Sequence, residues 1–309
     1  MSKVAFVFPG QGAQYPGMGK EFYETEEASR RIFDKASEIT GIDMKELCFT
    51  ENDRLNITEY TQAAMLTTSV AILEVLKERG ITPDVSAGLS LGEYGALVAS
   101  GVLSFEEACS VVRQRGILMQ EEVPAGVGAM AAILGMDPEK IAEICAQTEG
   151  IVQIANDNCP GQIVISGEKE AVEKANAALL AAGAKRAIML NVSGPFHSAM
   201  LEGAGAKLRK VLEPVEILDF KIPYVSNVTA EYVTDGSKVK ELLEKQVYSS
   251  VKWRQSVEKM IEDGVDTFIE IGPGKTLTGF VKKINRGVRS FNVEKPEDME
   301  KVIEGLKGE

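Results

Sequence analysis

Apolar positions in the first 123 residues fall into short continuous runs separated by longer stretches in which they recur every three or four residues. A short run bounded by turn residues reads as a strand buried on both faces, and the longer period reads as a helix with one apolar stripe. Val4–Phe8 is such a run, ended by Pro9-Gly10-Gln11-Gly12. Between Ile57 and Gly80, Ala63, Leu66, Val70, Leu73 and Leu76 keep helical spacing, and Gly80 supplies a C-cap. Val85–Gly88 is a second strand, followed by a helical run from Leu91 to Val98. Ser104-Phe105-Glu106-Glu107 is a capping box that opens a helix reaching Glu122, with Pro124 just beyond. Strands alternating with helices in this way predict a parallel sheet covered by helices.

The rhythm changes after Pro124. Gly128–Met136 reads as a strand, Pro138–Thr148 as a helix, and Ile151–Ala155 and Gln162–Ser166 as strands around the turn Asn158-Cys159-Pro160-Gly161. An alanine-rich helix, Glu168–Ala182, and a last strand, Ala187–Val192, complete a β-α-β-β-α-β order, which is the ferredoxin-like pattern. From His197 the earlier alternation resumes, with a helical stretch over Ser198–Glu213, strand-like Tyr224–Asn227 and a strand at Thr267–Ile271. The expectation is an α/β chain. Residues 124–199 form a small ferredoxin-like subdomain inserted into a large one made of 1–123 and 200–309.

Composition narrows the chemistry. Apolar residues make up 44% and charged residues 26%, ordinary globular usage that excludes a disordered chain. With 34 Lys and Arg against 46 Asp and Glu, the net charge is −12, which repels phosphate backbones and anionic lipid and argues against nucleic-acid binding. No apolar run reaches the roughly 18 residues of a spanning helix, and the apolar start Met1–Pro9 is too short for a signal peptide. A cytoplasmic protein with no membrane contact is expected. Cys48, Cys109, Cys145 and Cys159 show no metal-binding spacing, so they read as reduced structural thiols and no metal is expected. His197 is the one histidine, so any mechanism that needs an imidazole must use it.

Gly88-Leu89-Ser90-Leu91-Gly92 matches G-x-S-x-G between a predicted strand and a predicted helix. The glycines permit a sharp turn that lifts the Ser90 hydroxyl off the sheet, and amides opening the helix can face an oxyanion. The same five residues also suit a plain strand-helix turn whose serine caps the helix. His197 follows Gly194-Pro195-Phe196 at a predicted helix start, where the positive end of the dipole keeps an imidazole neutral. Alone it reads as a packing residue; paired with Ser90 it reads as a general base. Arg115 shares one helical stripe with Ala108, Val112 and Met119, so it lies on the apolar face. A guanidinium there needs an anion, either an internal Asp or Glu or a substrate carboxylate. Two further glycine motifs fail. Gly10-Gln11-Gly12 puts Tyr15 where a dinucleotide fingerprint needs glycine, and Gly272-Pro273-Gly274-Lys275-Thr276 has Ile269 where a phosphate loop needs glycine.

Phe8-Pro9-Gly10-Gln11-Gly12-Ala13-Gln14, Gly88-Leu89-Ser90-Leu91-Gly92-Glu93, Arg115-Gly116, Gly194-Pro195-Phe196-His197-Ser198 and Glu270-Ile271-Gly272-Pro273-Gly274 occur in one order along nearly the whole chain. Together they resemble the malonyl-CoA:acyl carrier protein transacylases of fatty-acid synthesis. The resemblance implies an α/β-hydrolase-like large subdomain with a ferredoxin-like insertion, and acyl transfer without a cofactor. It matches Ser90 to the nucleophile, His197 to the base and Arg115 to the group that binds the malonyl carboxylate. It matches the backbone amides of Gln11 and Leu91 to the oxyanion hole. Gln246 resembles a glutamine near the serine-histidine pair, and Asn156 and Asn158 fall in a stretch similar to an asparagine-containing loop beside the cleft. Leu89 and Ser250 depart from the commoner pattern, which often has histidine and proline there.

The implied reaction is ping-pong transfer of malonyl from coenzyme A to the phosphopantetheine thiol of acyl carrier protein, serving fatty-acid or polyketide synthesis, by a chain expected to act as a monomer. His197 is expected to be oriented by a backbone carbonyl, making a dyad. Lys275, Lys282, Lys283, Arg286 and Arg289 cluster late in the chain and read either as a docking patch for an acidic carrier or as a solvated helix face. Two other functions fit the elbow: a serine hydrolase, in which water replaces the carrier thiol, and a non-catalytic carrier-binding scaffold.

Overall fold

The computed structural model describes residues 2–192 and 194–307; Met1, Ser193, Gly308 and Glu309 lie outside the described residues. The strands are β1 (Val4–Phe8), β2 (Val85–Gly88), β3 (Gly128–Leu134), β4 (Val152–Cys159), β5 (Gln162–Glu168), β6 (Arg186–Met189), β7 (Tyr224–Val225), β8 (Tyr232–Val233), β9 (Thr267–Ile271) and β10 (Arg289–Val293). They form two sheets. The first has the order β10-β9-β1-β2-β7-β8, parallel throughout except for the β7-β8 pair at its edge. The second, β4-β5-β3-β6, is antiparallel and carries the helices Pro138–Gln147 and Lys169–Ala181, the arrangement of a ferredoxin-like unit. The fold is therefore α/β with a parallel sheet and a separate antiparallel one.

Burial follows the pleat. Along β1, Val4, Phe6 and Phe8 enter one apolar core while Ala5 and Val7 enter the other, so helices cover the parallel sheet on both faces. Helix Thr58–Glu78 is buried along most of its length because helices Glu27–Thr40 and Phe105–Glu121 pack against it. Each large apolar side chain buried this way contributes about 1.5–3 kcal/mol. The Ser104 hydroxyl accepts from Glu107 N at 3.1 Å, so the capping residue acts as its sequence predicts. All four cysteines are free and buried. No described helix is long and apolar enough to cross a membrane, and no cluster of His, Cys, Asp and Glu suited to a metal occurs among the described residues.

Several boundaries differ from the sequence expectation. Strand β4 runs on through Asn156, Asp157, Asn158 and Cys159, leaving only Pro160 and Gly161 as the turn; Asn156 and Asn158 are strand residues and not loop residues. Their polarity hides the strand, whose register slips at Ile154/Asn156 and again at Asp157/Cys159. The far edge of β4 is also paired: Val251 N donates to Ala155 O at 2.8 Å, and Asp157 N donates to Val251 O at 3.0 Å. Arg254 donates through Nε and Nη2 to the buried Asp157 carboxylate, fastening the small sheet to the helix Trp253–Glu262. Strand β6 stops at Met189, and the stretch after His197 begins as a 3-10 turn, Ala199–Leu201, with the α-helix proper at Glu202–Leu212. The strand at Tyr224 ends at Val225.

The site depends on how closely β1 and β2 approach. Phe8 pairs with Gly88 at their C-terminal ends, so the Pro9–Gln14 turn and the Ser90 turn emerge side by side. A Cβ on Gly92 would stand 2.0 Å from Phe8 O, and one on Gly88 would stand 2.0 Å from Gly92 O. Gly92→Ala is accordingly expected to cost about 1–3 kcal/mol or more. Urea denaturation checks this, and an unchanged midpoint contradicts the close approach.

Candidate active site

Ser90 sits between β2 and the buried helix Gly92–Ala99 with φ 54°, a left-handed conformation that costs a non-glycine residue of order 1–3 kcal/mol. Side chains hold it there. Ser90 N donates to Asn227 Oδ1 at 2.7 Å, Asn227 Nδ2 donates to Gly88 O at 2.6 Å, and Gln246 Nε2 donates to Ser90 O at 2.8 Å. The strained turn is thus pinned from both sides by two buried amides.

The Ser90 hydroxyl lies 2.7 Å from His197 Nε2, and His197 Nδ1 lies 2.8 Å from the carbonyl of Gln246. That carbonyl can only accept, so Nδ1 carries the proton and Nε2 offers its lone pair to the serine. His197 also has a left-handed backbone, φ 58°, braced by His197 N donating to Val247 O. Gln153 bridges the same turn from β4: its Nε2 donates to His197 O at 3.3 Å and its Oε1 accepts from Ala199 N at 3.0 Å. Burial pushes the imidazole down to about 4, the Arg115 charge adds to the shift, and the backbone of Gln246 and Ser249 opposes it. The expected cause, a helix start, does not apply, because the α-helix begins only at Glu202.

Arg115 is fully buried behind Ser90. Its Nη1 donates to Gln62 Oε1 at 2.7 Å, and its Nη2 donates to Gln246 Oε1 at 2.9 Å and to Ser90 Oγ at 3.3 Å, while Tyr94 turns its ring toward the guanidinium at 5.7 Å. Burial pushes its pKa below the ordinary value. Among the described residues no Asp or Glu pairs with it directly, and every hydrogen-bond partner is neutral; the nearest acid, Glu93, stands on the far side of the Gln246 amide.

These groups open into a cleft of about 910 Å³. Gln11, Leu91, Asn156 and Asn158 line its wall together with Ser90 and His197. The backbone amides of Gln11 and Leu91 donate to no acceptor among the described residues. Leu89, Met119, Met130, Val164 and Phe196 supply an apolar lining. Gln246 and Arg115 lie beneath the surface of this cleft and not on it. Of the late basic residues, Lys275, Lys282, Lys283 and Arg286 are exposed, while Arg289 turns back to pair with Asp266.

Three site residues went unread in the sequence. Glu93 is a charged residue inside an otherwise uncharged buried helix, which was the available signal, whereas Gln62 sits among buried threonines that mask it. Asn227 follows a two-residue strand, and nothing in the sequence marks it.

A serine on a strained strand-helix turn, an imidazole within hydrogen-bond reach and a cleft at the ends of parallel strands are the features of an acyltransferase of the α/β class. The family model described as acyl transferase domain matches residues 5–302. The malonyl CoA-acyl carrier protein transacylase of Bacillus subtilis (strain 168) is 52% identical, over 100% of this chain and 99% of the relative. The crystal structure of the malonyl CoA-acyl carrier protein transacylase from Clostridium perfringens superposes with TM-score 0.96 at 49% identity, covering 99% of this chain and 98% of that one. A malonyl-transacylase solved in complex with its type II PKS acyl-carrier protein has TM-score 0.96 at 42% identity, covering 98% of this chain and 100% of that one. The chain belongs to the malonyl CoA-acyl carrier protein transacylase family.

Asn227→Ala leaves Ser90 N and Gly88 O without their partner. Loss of about 1–3 kcal/mol per unpaired group is expected, with slower labelling of Ser90 by an organophosphorus fluoridate. Wild-type stability together with wild-type labelling would show that the elbow holds itself.

Proposed function

We propose that this chain moves a malonyl group from coenzyme A to the phosphopantetheine thiol of an acyl carrier protein through a malonyl ester on Ser90, for fatty-acid or polyketide assembly. The observation that carries the reading is the buried Arg115, a cation with only neutral partners, whose Nη2 stands 3.3 Å from the Ser90 hydroxyl. Residues 1–123 and 200–309 serve as the large subdomain that carries the elbow, and 124–199 as the small subdomain that closes the cleft.

His197 Nε2 takes the proton from Ser90 as Oγ attacks the thioester carbonyl carbon. A positioned base of this kind supplies about 10²- to 10⁴-fold in rate. The Gln11 and Leu91 amides receive the oxyanion, where one donor is worth about 2.7–4 kcal/mol. Collapse breaks the carbon-sulfur bond, and the coenzyme A thiolate leaves with the proton from His197. In the second half, the carrier thiol gives its proton to His197 and its sulfur attacks the ester; the proton then returns to the departing Ser90 oxygen. The Gln246 carbonyl holds the imidazole throughout, so a dyad suffices.

The malonyl carboxylate replaces Ser90 Oγ and Gln62 Oε1 on the guanidinium. An acetyl group cannot, and would leave a desolvated cation with less than its full complement of acceptors. Phe196, beside the base and on the cleft wall, crowds substituents at malonyl C2. Lys282 and Lys283 end the helix whose first residues, Thr276 and Leu277, line the cleft, a position suited to an acidic carrier.

Arg115→Ala is expected to cut malonyl loading by about 10²-fold or more while improving acetyl loading relative to it. Intact mass after incubation with each acyl-CoA measures this. Equal effects on both acyl groups refute the carboxylate clamp, and release of free malonate without carrier protein favours a hydrolase.

The lowered imidazole pKa fixes a pH response. A group whose basicity is depressed stays neutral, and therefore competent as a base, until the pH falls through its folded value of about 4. Labelling of Ser90 by an organophosphorus fluoridate should keep its rate down to about pH 5 and lose it below, instead of failing near 6.5. An acid limb near the ordinary histidine value contradicts the buried geometry.

A further inference from the structure

Glu93 is the residue the proposed reaction leaves unused. It stands three positions after Ser90 in the helix Gly92–Ala99 and is completely buried. Its Oε2 accepts from Gln246 Nε2 at 2.6 Å and from Asn227 N at 3.3 Å, the two residues that pin the serine turn. Its other oxygen, Oε1, has no hydrogen-bond partner, and neither has Arg115 Nε.

A buried acid and a buried guanidinium lie on opposite ends of one amide. Gln246 turns its oxygen to Arg115 and its NH₂ to Glu93, the orientation in which the amide dipole favours positive charge on the first and negative charge on the second. A direct ion pair would fill the guanidinium N–H groups that face Ser90. One amide of separation leaves them with neutral acceptors that a substrate can displace. We propose that Glu93 is the indirect counter-charge of Arg115: a positioning residue that acts through Gln246, keeps the guanidinium open toward Ser90, and sets how tightly a substrate carboxylate is held. This inference rests on the reading of Arg115 as the carboxylate clamp.

The electrostatic sign is definite. With Glu93 ionised, the pocket is balanced and the substrate carboxylate competes with an internal anion. With Glu93 neutral, the guanidinium is uncompensated and draws the carboxylate more strongly. The charged and titratable groups that face Glu93 are Arg115 from helix Phe105–Glu121, Tyr94 from its own helix and Tyr224 from β7; His197 stands beyond Arg115. Both tyrosines are raised by burial and stay neutral, so Arg115 is the charge that matters. Burial raises Glu93 to about 7, against its hydrogen bonds and the pull of Arg115, so its charge changes near neutral pH.

The test is steady-state loading of Ser90 from malonyl-CoA and from acetyl-CoA, in wild type, Glu93→Gln and Arg115→Ala. Glu93→Gln keeps the side-chain shape and removes the charge. It should lower the KM for malonyl-CoA by about 3- to 10-fold and move acetyl loading by less than about twofold. In wild type the malonyl KM should fall as pH drops from 8 to 6, a trend absent in Glu93→Gln and absent for acetyl-CoA. A merely structural role predicts the reverse, a raised KM or a lowered kcat for both substrates, and that outcome overturns the proposal. So does an unchanged malonyl KM or an identical pH trend in the variant. The wild-type pH series needs no variant and stands if Glu93→Gln does not fold. If Arg115→Ala keeps the preference for malonyl, the clamp reading fails; if it loses that preference while Glu93→Gln behaves as wild type, only the counter-charge fails.

Discussion

One buried side chain organises the whole site. Gln246 ends the helix Val239–Gln246 with no exposed surface, and its three polar groups between them hold four residues of the site. The backbone carbonyl accepts from the imidazole, the amide oxygen accepts from the guanidinium, and the amide nitrogen donates to the serine carbonyl and to Glu93. Among the described residues no other residue hydrogen-bonds to all four. Because a glutamine amide has a donor end and an acceptor end, its orientation is dictated by its neighbours: Arg115 can only donate, and the serine carbonyl can only accept. The serine, the imidazole and the guanidinium are therefore set relative to one another through the main chain and side chain of one buried residue.

That arrangement explains how two strained residues persist. Ser90 and His197 both hold left-handed backbones, which isolated residues of their kind avoid. Each is over-determined by hydrogen bonds from outside its own segment: Asn227 and Gln246 on the serine turn, Val247 and Gln153 on the histidine turn. Gln153 belongs to β4, and β4 is itself fastened to the segment at Val251 and to the helix Trp253–Glu262, through the Val251 bridge and the Arg254–Asp157 pair. The small sheet thereby supports the His197 turn as well as walling the cleft. Strain of this sort is found where geometry must be ready before substrate arrives.

The parts of this site that were legible in the sequence share a cause. Ser90 announces itself because a sharp turn needs Gly88 and Gly92, and Arg115 because helical spacing puts a charge where only apolar residues belong. His197 is legible by uniqueness. Asn156 and Asn158 read as loop residues because polar side chains on a strand resemble a turn, and only the pairing of β4 on both edges shows otherwise. Asn227 leaves no trace, since its role arises from the parallel pairing of β2 with the two-residue β7 far along the chain. Periodicity reports what each element does to its own face. It is silent on which distant residue completes a neighbour's hydrogen bonds.

Charge balance gives a last constraint. The chain carries a net −12, yet the proposed donor and carrier are both anionic. Screening resolves the conflict: at physiological salt, exposed charges beyond about 8 Å contribute little, so the field at the cleft mouth is decided locally. There the helix Thr276–Ile284 places its first residues in the cleft wall and its exposed lysines one helix length away, and Lys283 reaches Gln162 on the same wall. Inside, the balance is tighter still. Arg115 is the sole cation behind the serine among the described residues, and its partners there are neutral. On the proposed reading, an incoming acyl monoanion meets positive charge first at the rim and then at the floor, whereas a neutral acyl group is favoured at neither. If Arg115 is the clamp proposed for it, discrimination at the floor needs no movement of the fold, only the exchange of neutral acceptors for a charged one on the same guanidinium.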